Sequence, residues 1–169
     1  MTSPVNCGGA EDERKIVSHR PVMNVDEMRE FLDREFPQIN AGGEFYKVTR
    51  IEGGMAEVVL IPDERHLRPG GTISGPTLFA LADLSAYVVI LAHIGPVALA
   101  VTTNLNINFL RKPEADEQLV AQCRLLKLGK RLAIVEVAIS DPRDGLVAHA
   151  TATYSIPPRE ENARSDAVK

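Results

Sequence analysis

Asp83 is the residue whose setting points most directly to chemistry. It lies in the middle of LFALADLSAYVVILA (78–92), where Ser85 is the only other strongly polar side chain. An ionised carboxylate is costly in an apolar helix unless it is hydrogen-bonded or faces a cleft. Two readings follow: an aspartate satisfied by neighbouring backbone or hydroxyl groups, or a carboxylate aimed into a substrate channel. The second is favoured, because such perturbed carboxylates cluster at functional sites. Ahead of it, RPGGTISGP (68–76) is a glycine-rich turn that leads straight into the apolar run. Ser74 suits a helix N-cap, and Pro76 suits the first turn, where its missing N–H costs nothing. His19, His66, His93 and His149 are scattered without ligand spacing, so no metal site is expected.

A helix that is apolar nearly all round is expected to be buried. The run is also expected to be too short, and too interrupted by Asp83, to span a membrane. The other elements must therefore wrap it. Asn24 or Asp26 caps a helix to Phe36, with Met28, Phe31, Leu32 and Phe36 on one face, and Pro37 stops it. Residues 45–51 and 55–61, joined by Glu52-Gly53-Gly54, form a hairpin. After Gly95-Pro96, residues 97–110 alternate: Val101, Thr103, Leu105, Ile107 and Phe109 on one face, Thr102, Asn104, Asn106 and Asn108 on the other. Strands 118–128, 132–139 and 146–156 follow through short turns, which makes that part antiparallel, with Leu119, Ala121, Cys123 and Leu125 inward. The expected architecture is α+β: an antiparallel sheet of five to six strands around one long central helix.

The 169 residues suit one domain, 21–158, between a disordered tail (1–20) and a flexible one (159–169). The charge of -4 gives no case for nucleic acid. Cys7 and Cys123 have no paired spacing and no signal-peptide pattern precedes them, which points to a reducing cytoplasm.

These residues resemble a family. GTISGPTLFALAD (71–83) is similar to the motif N-x-x-G-T-[LV]-H-G-G-x-x-x-x-L-x-D of hotdog-fold acyl-CoA thioesterases, in the phenylacetate-pathway (PaaI-like) branch. VTTNLNINFLRKP (101–113), LLKLGKRLAIVEVAI (125–139) and the strand from Gly145 to Tyr154 extend the likeness across about 45–157. The resemblance implies Asp83 as general base or nucleophile for thioester hydrolysis and the Gly75 N–H as oxyanion donor. Thr102 falls where the family often carries a hydroxyl that positions water. Ser74, Pro76 and Arg68 stand where the family has His, Gly and Asn; Ser74 still offers a hydroxyl, and His66 or Arg68 substitutes in part. Coenzyme A enters as part of the substrate, with no further cofactor. Its phosphates suit Arg111, Lys112, Lys127, Lys130 and Arg131, unless these are ordinary solvated turn charges. Asn104 belongs to a solvent face, a dimer contact or the pantetheine tunnel. Tyr87 reads as core or acyl-pocket lining.

Gly75 and Asp83 are eight residues apart, about 12 Å along one helix. They cannot touch one carbonyl group, so a second copy must supply one of them, which implies a homodimer, with dimers of dimers common in the family. Two alternatives remain. One is a non-catalytic acyl-CoA binder, suggested by Ser74, Pro76 and Arg68. The other is a hydratase or dehydratase, against which Val88 stands, where that branch has a histidine.

Overall fold

A computed structural model of the chain describes residues 20–158 apart from 117 and 144. The two tail readings therefore fall outside the described residues, except at Arg20.

Helix α1 (Val25–Glu35) begins where Asn24 and Glu27 cap each other: Asn24 Oδ1 accepts from the Glu27 N–H at 3.0 Å, and the Glu27 carboxylate accepts from the Asn24 N–H at 2.8 Å. Met28, Phe31 and Leu32 are buried, but Phe36 leaves their face and is 42% exposed. The residue before a proline is pushed out of the helical region, and Phe36 sits at φ -138°, ψ 50° ahead of Pro37. A short 3₁₀ turn, Pro37–Asn40, follows.

Strands β1 (Tyr46–Glu52) and β2 (Met55–Leu60) form the hairpin. The glycine-rich turn is a two-residue ribbon, β3 (Leu67–Arg68) and β4 (Thr72–Ile73), turned by Gly70 and Gly71 at φ 99° and 73°. Helix α2 (Gly75–Ile94) then runs 20 residues from a Ser74 cap, and β5 (Val101–Phe109), β6 (Leu119–Leu128), β7 (Leu132–Ser140) and β8 (Leu146–Ser155) complete the chain. The six long strands form one antiparallel sheet in the order β1-β2-β6-β7-β8-β5, with α2 packed along its inner face. This is the expected α+β hotdog arrangement.

Two expectations about these elements are corrected. By length and apolar composition α2 would reach across a membrane, so shortness does not exclude a span; what distinguishes it is that 72% of its apolar stretch is buried inside this fold. Nor is it covered all round: Pro76, Phe79 and Ala80 are exposed, and Asp83 and Tyr87 half-buried, on the side the sheet leaves open. Spaced at three and four residues, they form one stripe.

The fifth strand departs from strict alternation. Its pairing with β8 slips between Thr102 and Asn104, so Thr102 faces Tyr154 and Leu105 faces Ala152, with Thr103 as the extra residue. A bulge of this kind reverses the side-chain direction on one side of it. Thr102, assigned by alternation to the asparagine face, therefore points inward. Asn104, Asn106 and Asn108 lie exposed opposite Thr153, Thr151 and His149, on the outer face of the sheet.

Candidate active site

Three elements meet at Asp83. The bulge turns the Thr102 hydroxyl inward to donate to Asp83 Oδ1 at 2.5 Å. From β8 the Tyr154 hydroxyl lies 2.7 Å from the same oxygen and 2.9 Å from the Asp83 backbone carbonyl. Burial, then the Asp83 charge, pushes the Tyr154 phenol up, so it stays a hydrogen donor. With two hydroxyls on Oδ1, Asp83 Oδ2 has no hydrogen-bond donor among the described residues. The carboxylate thus takes both treatments weighed from sequence: hydroxyl partners hold one oxygen, and the residue lines a cavity.

That cavity, about 870 Å³, is bounded along α2 by Ala80, Asp83, Leu84 and Tyr87. Opposite stand Phe36, Ile39, Phe45, Tyr46 and His66, with Ala98, Ala100 and Val101 at the start of β5. Apolar walls around a few polar groups are the usual make-up of a small-molecule site. Tyr87 donates to the Ala98 carbonyl at 3.2 Å, and its phenol is pushed up to about 12 by burial and then by Glu35. It forms part of the cavity wall. His66 is buried on the loop ahead of α2 with its ring against Phe45 and Tyr46, in the same cavity as Asp83.

Gly75 is elsewhere. It lines a second, smaller cavity of about 340 Å³ with Arg68, Phe109, Arg111 and Lys112. Its N–H opens α2 and has no acceptor among the described residues, as first-turn amides lack helical partners. A Cβ built there would meet the Phe109 ring at 3.5 Å, an ordinary contact, so this chain's own packing does not demand glycine. The Ser74 hydroxyl is committed to the cap, 3.3 Å from the Thr77 N–H and 2.8 Å from the Thr77 hydroxyl.

The basic residues disperse. Arg111 pairs with the buried Asp141 carboxylate and the Gly145 carbonyl, so it is not an ordinary solvated turn charge, and a side chain at Gly145 would have to displace its guanidinium. Burial works against the Asp141 charge, but Arg111 and the Gly145 and Arg143 N–H groups outweigh it and hold the carboxyl below its ordinary range. Arg68 bonds the Thr72 hydroxyl at 3.0 Å beside the second cavity. Lys127, Lys130 and Arg131 are exposed around the β6–β7 turn and, like Asn104, line neither cavity.

Tyr154 was not singled out from the sequence. Its signal is present, however: on the inward face of β8, Ala148, Ala150 and Ala152 are followed by one large side chain with a polar tip, and a buried tyrosine hydroxyl needs a partner.

Comparison with known proteins places this geometry. The sequence profile of the Thioesterase superfamily matches residues 70–148, from the glycine-rich turn through the start of β8. A crystal structure from a Silicibacter species, named as an inferred thioesterase, is 45% identical and superposes with a TM-score of 0.76 over 83% of this chain and 96% of its own. A mutant of the phenylacetic acid degradation protein PaaI from Thermus thermophilus is 27% identical, TM-score 0.63, over 72% of this chain and 99% of its own. An acetyl-CoA-bound protein of Streptococcus mutans, 24% identical with a TM-score of 0.61 over 68% of this chain and 90% of its own, shares the fold. The chain belongs to the thioesterase superfamily and is a PaaI-like thioester hydrolase built on the hotdog fold.

Proposed function

We propose that this protein hydrolyses acyl-CoA thioesters, taking small, medium-chain or aryl acyl groups, with Asp83 as the base. The observation that carries the reading is Asp83 itself: one oxygen held by the Thr102 and Tyr154 hydroxyls, the other without a donor among the described residues, in a largely apolar cavity. Asp83 Oδ2 takes a proton from water as the water oxygen attacks the thioester carbon. The carbonyl oxygen becomes an oxyanion, the C–S bond then breaks, and the coenzyme A thiolate takes up the proton. The products are a carboxylic acid and the free thiol. Coenzyme A enters as part of the substrate, in keeping with the acetyl-CoA held by the Streptococcus mutans protein.

The oxyanion needs a donor that this chain cannot bring to its own Asp83. Gly75 N–H lies at the positive end of α2, eight residues away and in a different cavity. A second copy of the chain supplies it. Three features favour that copy: among the described residues β5 is an unpaired edge of the sheet, Val101 and Phe109 on it are 55% and 53% exposed, and Phe79 on the open stripe of α2 is 41% exposed. The functional unit is thus a homodimer with sites at its interface.

Thiol release from short, medium and aryl acyl-CoAs tests this in the wild type and in Asp83→Asn. The variant is expected to lose about 10²- to 10⁴-fold in kcat, the usual contribution of a general base, while coenzyme A binding persists. Binding without turnover across the panel in the wild type would instead support a non-catalytic binder. A fully active monomer in sedimentation would overturn the interface site.

A further inference from the structure

The slip in β5 sets which threonine reaches Asp83. Asn104 stands opposite Thr153, and Leu105 opposite Ala152. Counted back from there, a regular antiparallel ladder would put Thr103 opposite Tyr154 and Thr102 opposite Ser155. Ala152 is buried, so the alternation of a strand would then turn Thr103 inward and Thr102 outward. The observed ladder differs: Thr102 stands opposite Tyr154 and Val101 opposite Ser155, with Thr103 as the inserted residue. The two hydroxyls on Asp83 Oδ1 therefore come from one cross-strand pair, Thr102 and Tyr154, which exists only in the slipped ladder.

A bulge leaves its extra residue without a ladder partner, so another bond must offset the lost pairing. Thr103 supplies it with its side chain. Its hydroxyl donates to the Thr153 carbonyl at 3.1 Å, across the same two strands and at the residue next to Tyr154. Thr103 is exposed, so packing in the core does not hold it. Nor does the carboxylate choose between the two ladders, since the regular one would bring the Thr103 hydroxyl to Asp83 in place of Thr102. In that ladder, however, the Thr103 hydroxyl would be turned away from the Thr153 carbonyl. The bond between them belongs to the slipped ladder alone.

We propose that Thr103 is a positioning residue: its hydroxyl holds the slip of β5 and thereby keeps the Thr102 hydroxyl on Asp83. The catalytic side of the inference rests on the hydrolytic reading above. Its test measures kcat and KM for Thr103→Val and Thr103→Ser on the acyl-CoA that the wild type cleaves fastest. Valine keeps the branched shape and loses the hydroxyl, whereas serine keeps the hydroxyl. Thr103→Val is expected to lower kcat about 3- to 10-fold, the worth of one hydrogen bond, with KM within about twofold. The loss falls on kcat because Asp83 must be aimed when water attacks, not when substrate binds. Thr103→Ser should keep kcat within about twofold of the wild type. Wild-type kcat in Thr103→Val, or an equal loss in Thr103→Ser, would overturn the inference. The ladder itself is read without substrate, from the nuclear Overhauser contact between the backbone protons of Thr102 and Tyr154. That contact should weaken in Thr103→Val and persist in Thr103→Ser; at wild-type strength in both, it ends the inference. Should the wild type cleave no thioester, the hydrolytic reading fails by itself, and this contact alone decides whether Thr103 positions Thr102.

Discussion

The two sides of α2 treat polar groups in opposite ways. On the side against the sheet, each one is satisfied by fixed partners within the core. Ser85 donates to the Leu81 carbonyl at 2.7 Å, and His93 lies between the Gly54 N–H at 2.8 Å and the Val89 carbonyl at 2.7 Å. On the open side, Asp83 draws its donors from β5 and β8, keeps one oxygen without a donor among the described residues, and lines a cavity. A buried polar group that is fully paired contributes to structure; one left partly unpaired beside a cavity is available to a ligand. The same helix therefore serves as core on one side and as cavity wall on the other.

Substitutions on the two sides should accordingly separate stability from activity. Leu81→Ala empties a site that is 0% exposed, two residues before Asp83, and should destabilise the fold by about 2–5 kcal/mol in denaturant titrations, whereas Asp83→Asn should leave the midpoint nearly in place. If Leu81→Ala left stability unchanged, the contrast between the sides would be lost. Tyr154→Phe removes one of two donors to Asp83 and keeps the ring. It should lower kcat by about 10- to 100-fold, the worth of a hydrogen bond to a charged group, and a fall in KM alone would contradict the role given to the hydroxyl. Phe79→Lys places a charge on the open stripe. A dimer dissociation constant raised at least about tenfold in sedimentation, with activity lost in step, would sharpen the assignment of that stripe to a second copy.

The smallest expected effect comes from the outer face of the sheet. Hydrogen bonds from Arg124 and then His149 hold the Glu136 carboxyl below its ordinary range. A carboxyl lowered on folding stabilises the fold above its unfolded value, about 4.3, and that contribution disappears as pH falls through the folded value. The wild type should therefore lose more stability than Glu136→Gln between pH 7 and pH 3. Equal losses would place the acid sensitivity elsewhere, with the Asp141 clamp as the next group to substitute.

Much of this was legible in the chain. The Ser74 cap, the Pro76 start, the Gly53-Gly54 turn and the inward row Leu119, Ala121, Cys123 and Leu125 are local or periodic signals, and each is realised in the structure. Asp83 was legible too, because a carboxylate in an apolar helix is a conflict visible in one dimension. Phe36 was misplaced because the helical period was carried one residue too far towards Pro37. Thr102 was put on the wrong face because alternation carries no mark of where a strand will bulge. The partner of Arg111 was not legible, because Asp141, 30 residues on, comes alongside only once β5 and the β7–β8 turn are in place.

The sequence by itself determined which helix would be the core, where it would start, and that a charge within it needed a reason. Capping, turn chemistry and periodicity act over a few residues and are written in order along the chain. Only the tertiary structure decided which side of that helix stays open, that Thr102 and Tyr154 grip Asp83, and that Gly75 opens on a different cavity. Those facts depend on strand register and on contacts between residues as many as 71 apart, as Tyr154 and Asp83 are. No local preference encodes them; they are set when the whole sheet closes around α2.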